Sequence, residues 1–289
     1  MDSRLEGDID ALILAAQDLE YINATSVKAL PQYTSLLDKM RAEMERFTAY
    51  LQTTLGLAAL SAITLGLTHS EELIQDNGID FAGLDAQTIA PLLDYLAEGS
   101  PLYNRLQLIT TATIDSVIKS IVDGVSQGFN PRKTAALIQD AFAGGLTDAL
   151  RNVRTVQLWA YRDAARANYM ATGGIVTAWV WWAELDADVC MSCVAQHGTI
   201  HPLEEQLNDH YNGRCAAIPY IPELAEPTQS GQEWFDGLSE TQQRKLMGPS
   251  KLEAYKANSF EFSALSSQKD NEVYGTMRTE ASLKELLER

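Results

Sequence analysis

The residues best suited to chemistry lie between 186 and 219, in the stretch DADVCMSCVAQHGTIHPLEEQLNDHYNGRCAAIP. This stretch contains all three cysteines of the chain and three of its four histidines. Cys190 and Cys193 form a C-x2-C motif, whose spacing lets two thiolates meet one tetrahedral ion from a tight turn. His210 and Cys215 follow 17 and 22 residues after Cys193, where a small zinc module has its second pair of ligands. The pattern predicts a structural zinc site with the ligands Cys190, Cys193, His210 and Cys215, and with His197 and His201 as further candidates.

Other roles for the three thiols remain open at this level. Buried free cysteines behave as small apolar side chains, and a cysteine beside a histidine can also act in redox or nucleophilic chemistry. An odd number of cysteines in 289 residues argues against a secreted disulfide scaffold. The P-C-x-x-C motif of zinc deaminases and the H-E-x-x-H motif of metalloproteases are both missing. We therefore assign no catalytic residue and expect the metal to be structural.

A row of arginines forms a second group of candidates, on a helix predicted over residues 146–172. Arg151, Arg154, Arg162 and Arg166 recur at helical spacing and share one stripe. The stripe is either a basic face that is solvated or paired with the chain's own carboxylates, or a contact surface for an anionic protein or DNA phosphate. We take the four arginines as candidate partner-binding residues.

The net charge of −17 limits the range of partners. Residues 1–150 contain 20 acidic and 9 basic side chains, so most of the excess lies in the first half. Phosphate binding requires clustered lysine and arginine, so the chain is a poor general binder of nucleic acid. Any contact with DNA would have to be local.

The expected fold is a mainly α N-terminal helical region, a small α+β Cys/His module with short antiparallel strands, and a helical C-terminal tail. Helical periodicity dominates the first half, including a helix predicted to begin at Asp85. The stretch GGIVTAWVWWAEL predicts a strand, on which alternation puts Trp179 and Trp181 on one face and Trp182 on the other. The domain ranges follow as 1–145 for docking or scaffolding, 146–222 for the core with the Cys/His module, and 223–289 for the tail.

Residues 47–70 carry no formal charge and are long enough to span a bilayer. However, Thr, Ser, Gln and Gly are frequent in this run, and no cluster of Lys and Arg flanks it. These features favour a buried helix or a helix-packing interface over contact with a membrane.

Five pieces of the chain follow one another in a definite order. They are an Arg-Thr helix (RNVRTVQLWAYRDAARANYMATGG), a tryptophan strand (TAWVWWAELD), a cysteine turn (DADVCMSC), a glycine at 198 and a closing HYNGRC. In this order and spacing, residues 151–219 resemble the phage Mu F-like head morphogenesis family, the minor capsid proteins of tailed phages. The downstream GQEWFDGLSETQQRKLMGP and SLKELL are also typical of that family. The resemblance therefore covers about 140 residues, from 150 to the end.

The chain departs from the family's pattern in two places. Asp188 and Val189 stand where the family usually has Arg-Thr, before the first cysteine. Tyr211 and Gly213 stand where it has Pro and the first cysteine of a C-R-C ending. Even without that cysteine, the remaining cysteines and histidine still supply four ligands.

The resemblance implies a non-enzymatic protein of the phage head, present at low copy number. Such proteins associate with the portal during procapsid assembly, and some are thought to leave with the DNA. We accordingly expect an oligomeric component inside the virion near the portal, which passes through the host cytoplasm during assembly. Its acidic N-terminal helices would dock on the portal, the inner capsid or the scaffold. Its arginine stripe would face portal carboxylates or the packaged genome.

Two other functions remain open. A metal-dependent nuclease or hydrolase would use the acid and histidine cluster of Asp186, Asp188, His197 and His201. A membrane-active ejection protein would use residues 47–70.

Overall fold

The computed structural model describes residues 3–85, 101–127, 131–211, 213–224, 228–271 and 275–288. The described chain is mostly helical, with a small antiparallel module around the cysteines and short helices towards the C-terminus, which confirms the expected fold class. The helix predicted to begin at Asp85 lies outside the described residues.

Among the described residues, five α-helices lie between positions 3 and 171. They are α1 (Ser3–Gln17), α2 (Ala24–Lys28), α3 (Pro31–Asp76), α4 (Pro101–Ser126) and α5 (Pro131–Ala171). α5 runs without a break through Gly144 and Gly145, so it begins well before the helix predicted over residues 146–172. Each glycine costs a helix roughly 1 kcal/mol relative to alanine. At Gly145 close packing explains the choice, because a Cβ would lie 2.2 Å from Oγ1 of Thr113.

The chain divides into two compact units that differ from the three predicted ranges. The first unit comprises Met1–Leu55 and Leu96–Val153, and the second comprises Gly56–Tyr95 and Arg154–Arg289. The first unit has its own core of buried aliphatic residues, among them Leu12, Val27 and Leu36. The second unit contains every candidate ligand and is the one that matters for the site.

α3 contains the uncharged run 47–70. Among the described helices it is the one that is long and apolar enough to cross a membrane, and 39% of its most apolar window is buried inside the protein. Core helices of soluble proteins satisfy the same criteria of length and composition, so the helix is weak evidence for a membrane span.

A three-stranded antiparallel sheet lies at the centre of the second unit. Its strands are β1 (Ala178–Trp182), β2 (Ile200–Pro202) and β3 (Ala216–Tyr220), in the order β2-β1-β3. Trp179 and Trp181 are fully buried, whereas Trp182 is 41% exposed. The predicted alternation of the three tryptophans is confirmed.

The segment after the sheet folds back onto the same core. It forms the helices α7 (Gly231–Asp236), α8 (Glu240–Met247), α9 (Pro249–Lys256) and α10 (Leu283–Leu287), whereas a further short helix, α6 (Met191–Gln196), lies between β1 and β2. Phe235, Leu252 and Leu286 from this segment pack in one cluster with Trp179 and Trp181. Because these side chains share one core, no boundary separates a tail at residue 223 from the module.

The C-terminal segment also contains a hairpin that the sequence analysis did not predict. Its strands are β4 (Ser266–Asn271) and β5 (Gly275–Glu280), which pair antiparallel. The hairpin contacts the loop between β2 and β3 (residues 203–215, the return loop), because the Arg278 amide donates to the carbonyl of Asn208 at 2.7 Å.

The C-terminal part of α5 is held in the second unit by a buried asparagine. Asn168 donates through Nδ2 to the Leu67 carbonyl at 2.9 Å and to Oγ of Ser70 at 2.8 Å. Its Oδ1 accepts the amide of Leu84 at 2.8 Å. This anchoring fixes the helix face that carries Arg162 towards the cysteine module.

Candidate metal centre

The centre begins at the turn that leads into α6. Cys190 is the N-cap of this helix, and its Sγ accepts the backbone N–H of Cys193 at 3.4 Å. A thiolate is well placed there, because the first N–H groups of a helix have no partner within the helix. The turn brings both sulfur atoms of the C-x2-C motif to the same side.

His210 meets both cysteines from the return loop. Its Nε2 lies 3.0 Å from Sγ of Cys190 and 3.3 Å from Sγ of Cys193. Its Nδ1 lies 2.8 Å from the carbonyl oxygen of Tyr211, which favours a proton on Nδ1 and directs Nε2 towards the sulfur atoms. The three ligand atoms lie within 4.8 Å of one another and can hold a metal ion.

The three side chains shift one another's protonation strongly. The hydrogen bond from the Cys193 thiol, together with His210, lowers the pKa of Cys190 to about 4. The neighbouring Cys190 sulfur in turn raises the pKa of His210 to about 9 and also raises the pKa of Cys193. The arrangement thus favours a Cys190 thiolate beside a protonated His210 imidazole. A bound metal cation would supply the positive charge that the imidazole proton supplies in its absence.

Cys215, the fourth predicted ligand, lies next to this trio but outside it. Its side chain is buried, and its nearness to Cys193 contributes to raising the pKa of the Cys193 thiol. The described group whose ligand atoms are all mutually close contains Cys190, Cys193 and His210 alone. The structure therefore brings three of the four predicted ligands together and places the fourth beside one of them.

A buried arginine holds the loop that carries His210. From α5, Arg162 donates Nη1 to Oδ1 of Asp209 at 2.6 Å and Nη2 to Oδ2 at 2.9 Å. It also donates to the Cys215 carbonyl, from Nε at 3.0 Å and Nη2 at 2.7 Å, and to the Gly213 carbonyl at 3.2 Å. The side chains of Arg162 and Asp209 are 5% and 2% exposed. One guanidinium thus binds the loop on both sides of His210 and next to Cys215.

Gly213 is required by the same arrangement. A Cβ at this position would lie 1.8 Å from Oδ2 of Asp209, which no side chain can tolerate without displacing that carboxylate. The amide of Gly213 also donates to the His210 carbonyl at 3.0 Å, which closes the turn. Glycine at position 213 therefore has a local physical reason.

The arginine stripe does not form one exposed surface. Arg162 points inward and pairs with Asp209, so it takes the alternative of pairing with the chain's own carboxylate and is not exposed for contact with a partner. Arg166 is half-buried and donates Nη1 to the Leu203 carbonyl at 3.0 Å. Arg154 is exposed, and the side chain of Arg151 lies outside the described residues.

The residues of the alternative nuclease or hydrolase site do not converge. Asp186 forms an ion pair with Arg214 at 2.6 Å. His197 binds the backbone of Ala183 through Nδ1, and His201 lies 3.0 Å from Glu205 and stacks on Trp179. None of them, nor Asp188, belongs to a candidate metal group within the described chain. His197 and His201 therefore contact residues other than the three cysteines, and neither joins the candidate metal group.

The residue of this site that the sequence analysis missed is Asp209. In the string NDHYNG it has the composition of a turn residue, and no spacing rule connects it with an arginine 47 positions earlier. The one signal in the sequence was the arginine stripe, because one of its two interpretations was that the arginines pair with carboxylates of the same chain.

Comparisons of the chain with protein-family models, with curated proteins and with solved structures find no match.

Proposed function

We propose that this chain is a non-enzymatic minor head protein of a tailed phage, associated with the portal during head assembly and retained inside the particle. The proposal starts from the ordered motifs between Arg151 and Pro219. The observation that carries it is that the Cys/His centre and the downstream segments belong to one folded unit. That unit resumes at Arg154, close to where the resemblance begins.

The shared core supports this proposal further. The resemblance includes GQEWFDGLSETQQRKLMGP and SLKELL as well as the cysteine turn. Phe235 and Met247 come from the first of these segments and Leu286 from the second, and all three pack in the cluster that contains Cys193 and Cys215. Segments that are distant in sequence thus build one module around the candidate centre.

The finer part of the proposal is that the cation is zinc and that it is structural. Zinc in proteins takes sulfur ligands at about 2.3 Å and nitrogen ligands at about 2.0–2.1 Å, so a tetrahedral S–N edge measures about 3.5 Å. The observed separations of 3.0 and 3.3 Å approach this value. Two thiols and an imidazole also suit zinc better than a hard cation. On this proposal Cys215 completes the set, and its contact with Cys193 supports that role.

The experiment for the metal is elemental analysis of the purified protein, with Cys190→Ser as the test variant and Ser192→Ala as a neighbouring control. About one equivalent of zinc in the wild type and the control, lost in Cys190→Ser, is the expected result. Wild-type protein that is saturated with zinc salt and then dialysed, yet retains none, would overturn the zinc assignment.

The experiment for the role in the head is mass spectrometry of purified virions, combined with an infectivity assay of particles that lack the chain. We expect a few copies of the chain in mature particles and co-purification with the portal. If the chain were missing from particles and dispensable for infectivity, the proposal would be withdrawn.

A further inference from the structure

The outer face of the three-stranded sheet is apolar. In the register of the sheet, Val180 of β1 lies opposite Ile200 of β2 and Ile218 of β3, so these side chains form one row across all three strands. Trp182 extends the same face of β1. Ile200 and Trp182 are 54% and 41% exposed. The side of the sheet that faces away from the two buried tryptophans is therefore not a polar surface.

This face forms the floor of a groove of about 550 Å³. Leu73 and Asn77 at the C-terminal end of α3 line one side, and Leu224, at the end of a short 3-10 helix, lines another. Among the described residues that line the groove, none carries a formal charge and none is a candidate metal ligand. The groove belongs entirely to the second unit.

The strand sequence is that of a strand covered on both faces. An antiparallel sheet with one face in water alternates apolar and polar side chains. β1 has the sequence AWVWW, which contains no charged or hydroxyl side chain. Contiguous apolar surface of this kind marks an interaction site more often than scattered exposed residues do. The pattern of β1 thus indicates that another apolar element covers the outer face.

The surroundings of the groove are acidic. The stretches that supply its lining, residues 66–85, 173–189, 194–213 and 215–230, contain no lysine or arginine. Glu72 and Asp76 are exposed next to the α3 residues of the wall, and Glu223 is exposed next to Leu224. An occupant with basic residues beside its apolar side chains would complement this distribution of charge.

We propose that the groove binds an apolar segment of a partner protein that carries lysine or arginine next to its apolar residues. The described lining is mainly aliphatic and aromatic, with Asn77, Thr228 and Tyr220 as its polar side chains, and it has no charged group of the kind that often fixes the orientation of a small molecule. A second copy of this chain is disfavoured because its own groove has the same acidic flanks. The surface requires neither a bound metal nor a place in the virion, so it stands independently of the proposed function.

The test uses the full chain and two fluorescent synthetic peptides with the same leucine- and isoleucine-rich centre. One peptide has lysines at both ends, and the other has glutamates. In fluorescence anisotropy the lysine peptide is expected to bind at least roughly tenfold more tightly than the glutamate peptide. Ile200→Asp and Leu224→Asp should each weaken binding of the lysine peptide by a similar factor. Both side chains are about half exposed, so these variants are expected to fold.

Leu287→Asp is the matched control, because Leu287 is 55% exposed in the same unit but does not line the groove. This variant should bind the lysine peptide as the wild type does. The proposal is overturned if neither peptide binds, or if Leu287→Asp weakens binding as much as Ile200→Asp. It is also overturned if light scattering shows a dimer that Ile200→Asp splits. Co-sedimentation with phosphatidylcholine vesicles that Ile200→Asp abolishes would assign the groove to a membrane and overturn it equally.

Discussion

Arg162 and Asp209 form a two-pronged ion pair that is almost fully buried, with N–O distances of 2.6 and 2.9 Å. The same guanidinium binds the carbonyl oxygens of Gly213 and Cys215. His210 lies between these attachment points in the sequence. The position of the histidine ligand thus depends on a residue of α5 that contacts neither cysteine thiol.

Replacing Arg162 with leucine should destabilise the protein by about 3–5 kcal/mol, because the carboxylate of Asp209 would remain buried without a partner. Urea unfolding of the metal-loaded protein measures the change. Arg214→Leu is the control, since its ion pair with Asp186 is exposed to solvent and should contribute much less to stability. Equal losses in the two variants would show that burial of the Arg162 pair has no special weight.

Gly213→Ala should cost about 1–3 kcal/mol, because the added Cβ displaces the carboxylate of Asp209 from Arg162. The same variant should also bind its metal more weakly, as the turn that carries His210 shifts. Thermal unfolding and competition with a chelator are the two measurements. Gly237→Ala serves for comparison, since its Cβ would meet its nearest neighbours at an ordinary 3.4 Å. A Gly213→Ala protein as stable as Gly237→Ala would contradict the packing argument.

The metal-ligand assignments can be separated with cobalt as a spectroscopic substitute for zinc. Cys193→Ser and His210→Ala should abolish the absorption typical of tetrahedral thiolate coordination. Cys215→Ser should weaken its sulfur-to-metal band by one thiolate if Cys215 is the fourth ligand. An unchanged spectrum in Cys215→Ser would limit the protein ligands to the trio that the structure brings together.

Chelation should also reduce the secondary structure of residues 173–222, which circular dichroism would detect.

His197 should stay neutral at a pH at which an exposed histidine is half protonated. Burial lowers its pKa below the usual 6.5. The neutral ring therefore stabilises the fold above pH 6.5, and this contribution is lost as the pH falls, because the unfolded chain takes up the proton more readily. An NMR titration of the imidazole resonances gives the pKa directly. Protonation of His197 at or above pH 6.5 would contradict this prediction.

Arg154 is the one arginine of the predicted stripe whose side chain is described as exposed. If the stripe contacts portal carboxylates, Arg154→Glu should reduce co-purification with the portal by roughly tenfold, because attraction becomes repulsion. Reversal of a charge elsewhere, as in Arg46→Glu on α3, gives the background effect of added negative charge. Binding that is equal in Arg154→Glu and wild type would remove this position from the interface.

Several features followed from local rules and needed no fold. The C-x2-C motif predicted a turn with two sulfur atoms on one side, because a helix N-cap brings residues three apart close together. The alternation of Trp179, Trp181 and Trp182 followed from the period of a β-strand. Ser282 caps the last helix by accepting the amide of Glu285, and serine is a residue type that favours this position.

What the sequence alone determined, then, were the helical first half, the tryptophan strand and the cysteine turn, but not the β4–β5 hairpin. Only the tertiary structure decided which face of α5 is buried, since a helical stripe of arginines has the same spacing whether it faces solvent or a loop. It also decided that Asp209 meets Arg162 across 47 residues, and that Cys215 lies beside the trio rather than within it. Such pairings depend on how distant segments pack, because packing brings together residues that no local periodicity relates.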